Sequence, residues 1–323
     1  MIRQTINRDK GVTLIELMIV LVIAGLLVGG IYTLFATQQR SYYVQDRVTG
    51  IQQDGRAVLN IMARDIRMAG FVTGAGSAGG FSDDSGTFSL SSDPAGDTFT
   101  YAIEPENSNT APDKLTVVLG IEELGVVDDG TSGNLVKFEN LDSNTPFANA
   151  VTNNVAFVAF DLCVGKLYQV SSVDFSNDTI TVANFTSGEK TVGGKAYWVK
   201  AVTYSVDSDA LKRNENIGAG AESLAGGGDT TVVEDLQFAY QVQGDAGWYN
   251  APAEFPAGTS QADIEMVRIN VTVRTAVEDA TVADAEATAR FDQPALEDHT
   301  SGLHTDDGFR RRVYTTVVKA RNL

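Results

Sequence analysis

Hydrophobic and polar positions divide the chain into three textures. Nineteen residues from Leu17 to Phe35 carry no charge. As an α-helix they span about 28 Å, close to the thickness of a bilayer's hydrocarbon core. After Phe35 the apolar positions become periodic: Val44, Val48, Ile51, Val58, Met62 and Ile66, with Leu59 and Ile61 beside them. Steps of three, four and seven lay these residues along one helix face. The first proline is Pro94, so no proline breaks the helix. The pattern therefore predicts one helix from about Thr13 to Met68, roughly 80 Å long at helical rise, with Gly70 as its C-cap. Gly50 and Gly55 weaken it by about 1 kcal/mol each relative to alanine and mark a candidate bend.

After Gly70 the texture turns to β. Phe99, Tyr101 and Ile103 alternate, and the stretches KLTVVLG, GKLYQVSSVDF, DTITVANF, KAYWVKAVTYSVD, VVEDLQFAYQV and EMVRINVTVRTA are rich in β-branched and aromatic residues. Turn residues separate them, and helical crossovers are missing, so the sheets are expected to be antiparallel. The ending VYTTVVKA alternates Val313, Thr315 and Val317 against Tyr314, Thr316 and Val318, and predicts a closing strand. The expected fold class is α+β: a long N-terminal helix packed on an antiparallel, β-rich head. The expected divisions are a leader at 1–11, a transmembrane half-helix at 12–36, an amphipathic half-helix at 37–70 and the head at 71–323.

Charge sharpens this division. Arg3, Arg8 and Lys10 face Asp9 alone before the apolar run. After Arg67 there are 16 basic and 37 acidic residues, and the whole chain has a net charge of -18. An acidic head lacks the basic footprint that nucleic acid requires. The basic start places the N-terminus in the cytoplasm and the head outside, in the periplasm. A cleaved secretory signal would need a small-residue cleavage site after the apolar run, and ATQQRSYY is a poor one. A membrane-spanning helix fits best.

Glu16 is the one ionisable group inside this segment. A carboxylate in hydrocarbon costs several kcal/mol unless it snorkels to the edge or finds a cationic partner. The segment KGVTLIELMIV resembles the processing motif of type IV prepilins and pseudopilins. The resemblance implies a membrane peptidase that cuts after Gly11 and N-methylates Val12, where the family usually has phenylalanine. It also makes Glu16 the carboxylate that attracts a neighbouring subunit's terminal amine, flanked by Leu14, Ile15 and Leu17 in the assembly segment. A second stretch, from Ser41 to Phe71 with its RDIRMAG, is similar to PilW-type minor pilins, as are the segments from Val202 to Val242 and the ending FRRRVYTTVVKARNL. Residues 71–200 resemble nothing named.

That resemblance implies a minor pilin that starts or caps a type IV pilus. Its partners would be the prepilin peptidase, other minor and major pilins, inner-membrane lipid and the pilus assembly platform. A J-type pseudopilin of type II secretion and a pilin-borne adhesin head are the alternatives.

The remaining chemistry is sparse. No catalytic constellation, metal site or cofactor is expected. Cys163, the single cysteine, reads as a buried small hydrophobe. His299 and His304 sit among Glu297, Asp298, Asp306 and Asp307, at no trusted metal spacing, and read as a mobile surface loop. Asp128, Asp129 and Asn134, and Asn177 and Asp178, offer oxygen ligands without an EF-hand's spacing. Gly74, Gly76 and Gly79 form a G-x-G-x-x-G after a helix, not after the strand a dinucleotide site needs. Glu104 and Glu106 flank Pro105 with no acid/base pairing to support a reaction. Arg310, Arg311 and Arg312 read as a strand entry paired with Asp306 and Asp307, or else as a contact for an acidic neighbour.

Overall fold

The computed structural model describes residues 12–74, 88–89, 98–162, 166–183, 185, 192–217, 220–228, 231–278, 295–299 and 307–322. The chain forms two compact units that divide between Thr49 and Gly50. Helix α1, Leu14–Met68, contributes to both.

In the first unit the helix is exposed along its apolar stretch. Leu21, Leu26 and Ile31 are each more than 60% accessible. A Cβ built on Gly25, Gly29 or Gly30 meets nothing. This is the one helix among the described residues long and apolar enough to cross a membrane.

The second unit holds the rest of α1 and the sheets. Strands β1 (Phe88–Ser89) and β2 (Thr98–Phe99) form a short antiparallel ladder. A larger sheet contains β3 (Ile103–Glu106), β4 (Lys114–Val126), β5 (Leu135–Lys137), β6 (Phe157–Phe160), β7 (Tyr168–Asp174), β8 (Thr179–Val182), β9 (Lys195–Asp207), β10 (Ala210–Asn214) and β11 (Ala221–Gly226). Its order is β11-β10-β9-β6-β7-β8-β5, with β4 on the other edge of β9 and β3 beyond it. The third sheet is β12-β13-β14, from Thr231–Val242, Ile264–Thr275 and Arg311–Lys319. Every strand pairing is antiparallel, as the missing crossovers predict. The β9–β10 hairpin turns through Ser208 and Asp209, both at positive φ, which matches the twist of a two-residue turn.

Helix α2, Thr145–Thr152, begins at an Asn144 cap whose side chain accepts a hydrogen bond from the Phe147 N–H, with Pro146 just inside. Both are ordinary helix-start signals. The sequence pattern predicts no element at α2, β5, β6, β10 or β11; all are short, and three of the five lie within residues 71–200.

Two cores fill this unit. One lies around Trp198, Phe138, Phe147 and Phe160. The other joins the predicted stripe of α1 (Ile51, Val58, Met62, Ile66) to Leu115, Tyr204, Phe238 and Val271. Each fully buried Val, Met or Ile contributes on the order of 1.5–3 kcal/mol, so these few turns fix the helix on the sheets. Gly70 sits at φ 74, the left-handed conformation of a helix C-cap.

Gly55 serves closeness rather than bending. A Cβ there would lie 2.4 Å from the Tyr314 ring, and the helix runs through both glycines without interruption. The absent side chain lets a ring of β14 press onto the helix backbone.

Candidate functional site

The N-terminal element starts with Val12 and Thr13 outside the helix. Thr13 caps α1: its Oγ1 accepts from the Glu16 N–H at 3.4 Å, and its carbonyl accepts from the Glu16 and Leu17 N–H groups at 3.1 and 3.2 Å. Glu16 therefore occupies the third helical position, in the first turn, where the helix dipole favours an anion. The Thr-x-x-Glu spacing of a capping box was present in the sequence and went unused there. Leu14, Ile15 and Leu17 are all more than half exposed. No ion pair engages Glu16 among the described residues. Because α1 begins at Leu14, Val12 is not separated from Glu16 by a full helical turn. Gly11 lies outside the described residues.

A second constellation fastens the other end of α1. Asp65 is 1% exposed and follows Val58 by seven residues and Met62 by three, on the buried stripe. Its Oδ2 accepts the Tyr204 hydroxyl at 2.6 Å and the Arg213 Nε and Nη2 at 3.1 and 3.0 Å. Arg213 Nη1 also donates to Glu215 Oε1 at 2.6 Å, and Glu215 Oε2 accepts Lys200 Nζ at 2.7 Å. Lys200 in turn lies 4.1 Å over the Trp198 ring.

Burial raises the Tyr204 pKa, and the Asp65 charge adds to it. Burial opposes the charge on Arg213, but Glu215 and Asp65 outweigh it and leave the guanidinium above its ordinary value. Burial likewise opposes the Glu215 charge, and Lys200 and Arg213 hold its pKa below the ordinary carboxylate value. A buried pair is expensive to desolvate, so a chain of partners that satisfies every charge is what makes it tolerable. The stripe spacing carried the signal for Asp65, since a carboxylate at an apolar position of a packed helix needs a partner.

The other charged candidates resolve into internal pairs. Arg311, its side chain 3% exposed, donates Nε to Glu234 Oε2 at 2.6 Å and Nη1 to Asp307 Oδ1 at 2.6 Å. Asp307 is thus the local carboxylate the sequence reading named, whereas Asp306 lies outside the described residues. His299 is not a mobile surface residue: it is 5% exposed and bonded to Asp235, itself fully buried. His304 lies outside the described residues, as do Cys163, Gly76 and Gly79.

The oxygen-rich loops already have donors. Lys137 Nζ sits 2.9 Å from Asp128 Oδ2, and the hydrogen bond holds that carboxyl down at about 2. Asp178 Oδ1 accepts the Leu141 N–H at 2.9 Å. Among the described residues no group of three His, Cys, Asp or Glu is placed to hold a metal ion.

The N-terminal geometry has a counterpart among known families. Residues 6–32 match the prokaryotic N-terminal methylation motif, a type IV pilin signal. The match covers Gly11, Val12, Glu16 and most of the apolar run. The motif thus lies over the start of the long N-terminal helix.

Among solved structures, the chain is similar to the type IV-like pilin TTHA1219 from Thermus thermophilus, at 12% identity and a TM-score of 0.36, over 87% of this chain and 98% of that one. No curated protein sequence matches it.

Proposed function

We propose that the chain is a minor pilin of the PilW kind. It enters the inner membrane with its N-terminus cytoplasmic and its acidic head periplasmic. Prepilin peptidase cuts after Gly11 and methylates Val12, and the subunit then joins other minor and major pilins at the assembly platform to start or cap a filament. The chain acts by assembly, with no catalytic role and no nucleic-acid partner.

The observation that carries this reading is the methylation motif over residues 6–32, which overlaps the exposed apolar first part of α1. Such a surface is costly in water and is covered by lipid before assembly and by neighbouring helices after it. Glu16 would supply its charge at the start of that helix to a neighbour's new terminal amine. In low dielectric such a pair is strong enough to set register.

The test is Glu16→Ala in cells. The variant is expected to insert and accumulate normally while failing to enter sheared filaments. Normal incorporation would overturn the pairing. Co-purification of the native chain with a type II secretin complex instead of pilus components would transfer it to the pseudopilins.

A further inference from the structure

We propose that the outer edge of β14 is a docking edge for an acidic, extended segment of another protein, added as a fourth strand to the sheet β12-β13-β14. β14 pairs with β13 from Arg311 to Lys319 without a register shift. The ladder fixes which groups the other edge presents. At its two ends the Thr275 N–H donates to the Arg310 carbonyl and the Ala320 N–H to the Glu265 carbonyl, both at 3.0 Å. The even-numbered residues of β14 therefore bond β13, and Val313, Thr315, Val317 and Lys319 turn their N–H and C=O groups away from it. Among the described residues no backbone bond takes up the groups of these four.

The other described edges are blunted. On the outer side of β12, the Val233 N–H donates to the Asp209 carbonyl at 2.9 Å and the Leu236 carbonyl accepts the Asp113 N–H at 2.8 Å. Tyr240 exchanges both of its backbone bonds with Tyr249, at 2.7 and 2.9 Å. In the large sheet β3 has four residues and contains Pro105, β5 has three residues, and β11 pairs with β10 across a register shift. Covering loops, short strands, proline and bulges are ordinary ways to keep an edge from pairing with another chain. β14 has nine residues, no proline and no bulge, and its charges lie at its two ends, leaving Val313 to Val318 uncharged.

Side chains and charge say what this edge takes. Tyr314 and Val318 pack in the core with α1, so Thr315 and Val317 lie on the opposite face, where Val317 is 47% exposed. A β-branched or apolar side chain on an added strand would pack beside Val317. The ends are basic. Arg312 near the start of β14 and Arg321 just past its end are exposed. Arg56 and Arg67 of α1 are exposed too, and eleven residues is close to three helical turns, so they leave the helix on one side. β14 runs beside this stretch: the Tyr314 ring lies against Gly55, and Asn322 Nδ2 donates to the Arg67 carbonyl at 3.4 Å. The Arg56 charge acts on the Tyr314 hydroxyl. No carboxylate pairs with any of these four arginines among the described residues.

On a chain of net charge -18, such a basic border complements an acidic partner. A second β14 does not fit. Antiparallel pairing would set the basic start of one copy beside the basic end of the other, and parallel pairing would set start beside start. Like charges opposite one another destabilise a strand pair. Main-chain bonds along the edge supply affinity, and the alternate side chains and charged ends supply specificity.

The probe is a peptide as long as β14, with alternating valine and threonine between pairs of glutamates at its ends, added to the full-length protein in detergent micelles. Amide exchange read by NMR should slow about tenfold or more at Val313, Thr315 and Val317, and change less at Tyr314 and Thr316, which already bond β13. The same peptide methylated on alternate backbone nitrogens should not bind, and one with lysine ends should bind about tenfold more weakly or worse. Thr315→Pro should abolish binding while keeping the β13 ladder, since that N–H faces away from β13. Arg312→Glu combined with Arg321→Glu should reverse the preference for the peptide ends and tests the charge without touching the backbone. Absence of protection on β14, equal binding of the methylated peptide, or indifference to the charge of the ends would overturn the proposal. So would slow exchange at these amides without peptide that is lost on dilution, because a second copy would then fill the edge.

Discussion

Asp65 on the last turns of α1 and Arg213 on β10 meet at 3.0 Å, 148 residues apart in sequence. The pair lies where the helix stripe enters the core, and it ties the helix to a strand of the large sheet. If force or assembly acts on the helix, this is one of the joints through which the head feels it.

Asp65→Ala leaves Arg213 and Tyr204 facing a vacancy. Glu215 still holds one arm of Arg213, so the loss should fall near the lower end of the range for breaking a buried pair, about 3 kcal/mol. Urea unfolding followed by tryptophan fluorescence would measure it. Replacing Asp65 and Arg213 together by leucine should recover part of the loss, because no charge is left stranded.

The two glycines of the stripe should respond in opposite directions. Gly55→Ala forces a Cβ into the Tyr314 ring, and overpacking of this kind costs about 1–3 kcal/mol. Gly50→Ala meets only Thr231 Cγ2 at 3.7 Å and should stabilise the helix by about 1 kcal/mol or less. Thermal unfolding of the two variants side by side separates close approach from helix propensity. A loss from Gly55→Ala that persists in a Tyr314→Ala background would show that the ring is not its cause.

Asp113 makes stability fall with pH in a window of its own. Burial raises its carboxyl from 3.8 to about 7, against the pull of hydrogen bonds from the Phe238 and Ser108 N–H groups. Between those values the folded chain holds a proton that the unfolded chain has lost. Stability must therefore decrease as pH rises through this range. Asp113→Asn should flatten that part of the profile, as read from urea midpoints at a series of pH values.

The large pattern was legible because it depends on repetition. The stripe from Ile51 to Ile66, the capping Gly70 and the long strands β4, β9, β12, β13 and β14 all carry many residues with one periodicity. Short elements such as β5 and β6, with three and four residues, give periodicity too little length to register. Polar partners were harder still. Nothing local to Asp65, Asp235 or Glu297 says which distant strand will meet it, since the pairing distance is set by topology. The methylation motif was legible for a different reason: it is written in consecutive residues, among them Gly11, Val12 and Glu16.

Processing of the N-terminus for assembly is read from the mass of the mature N-terminal peptide. Protein isolated from membranes of cells containing prepilin peptidase should begin at Val12 and carry one added methyl group on its amine. The same chain from cells lacking the peptidase should retain residues 1–11. A mature protein that keeps its leader where the peptidase is active, or that is cut anywhere other than after Gly11, would contradict the account.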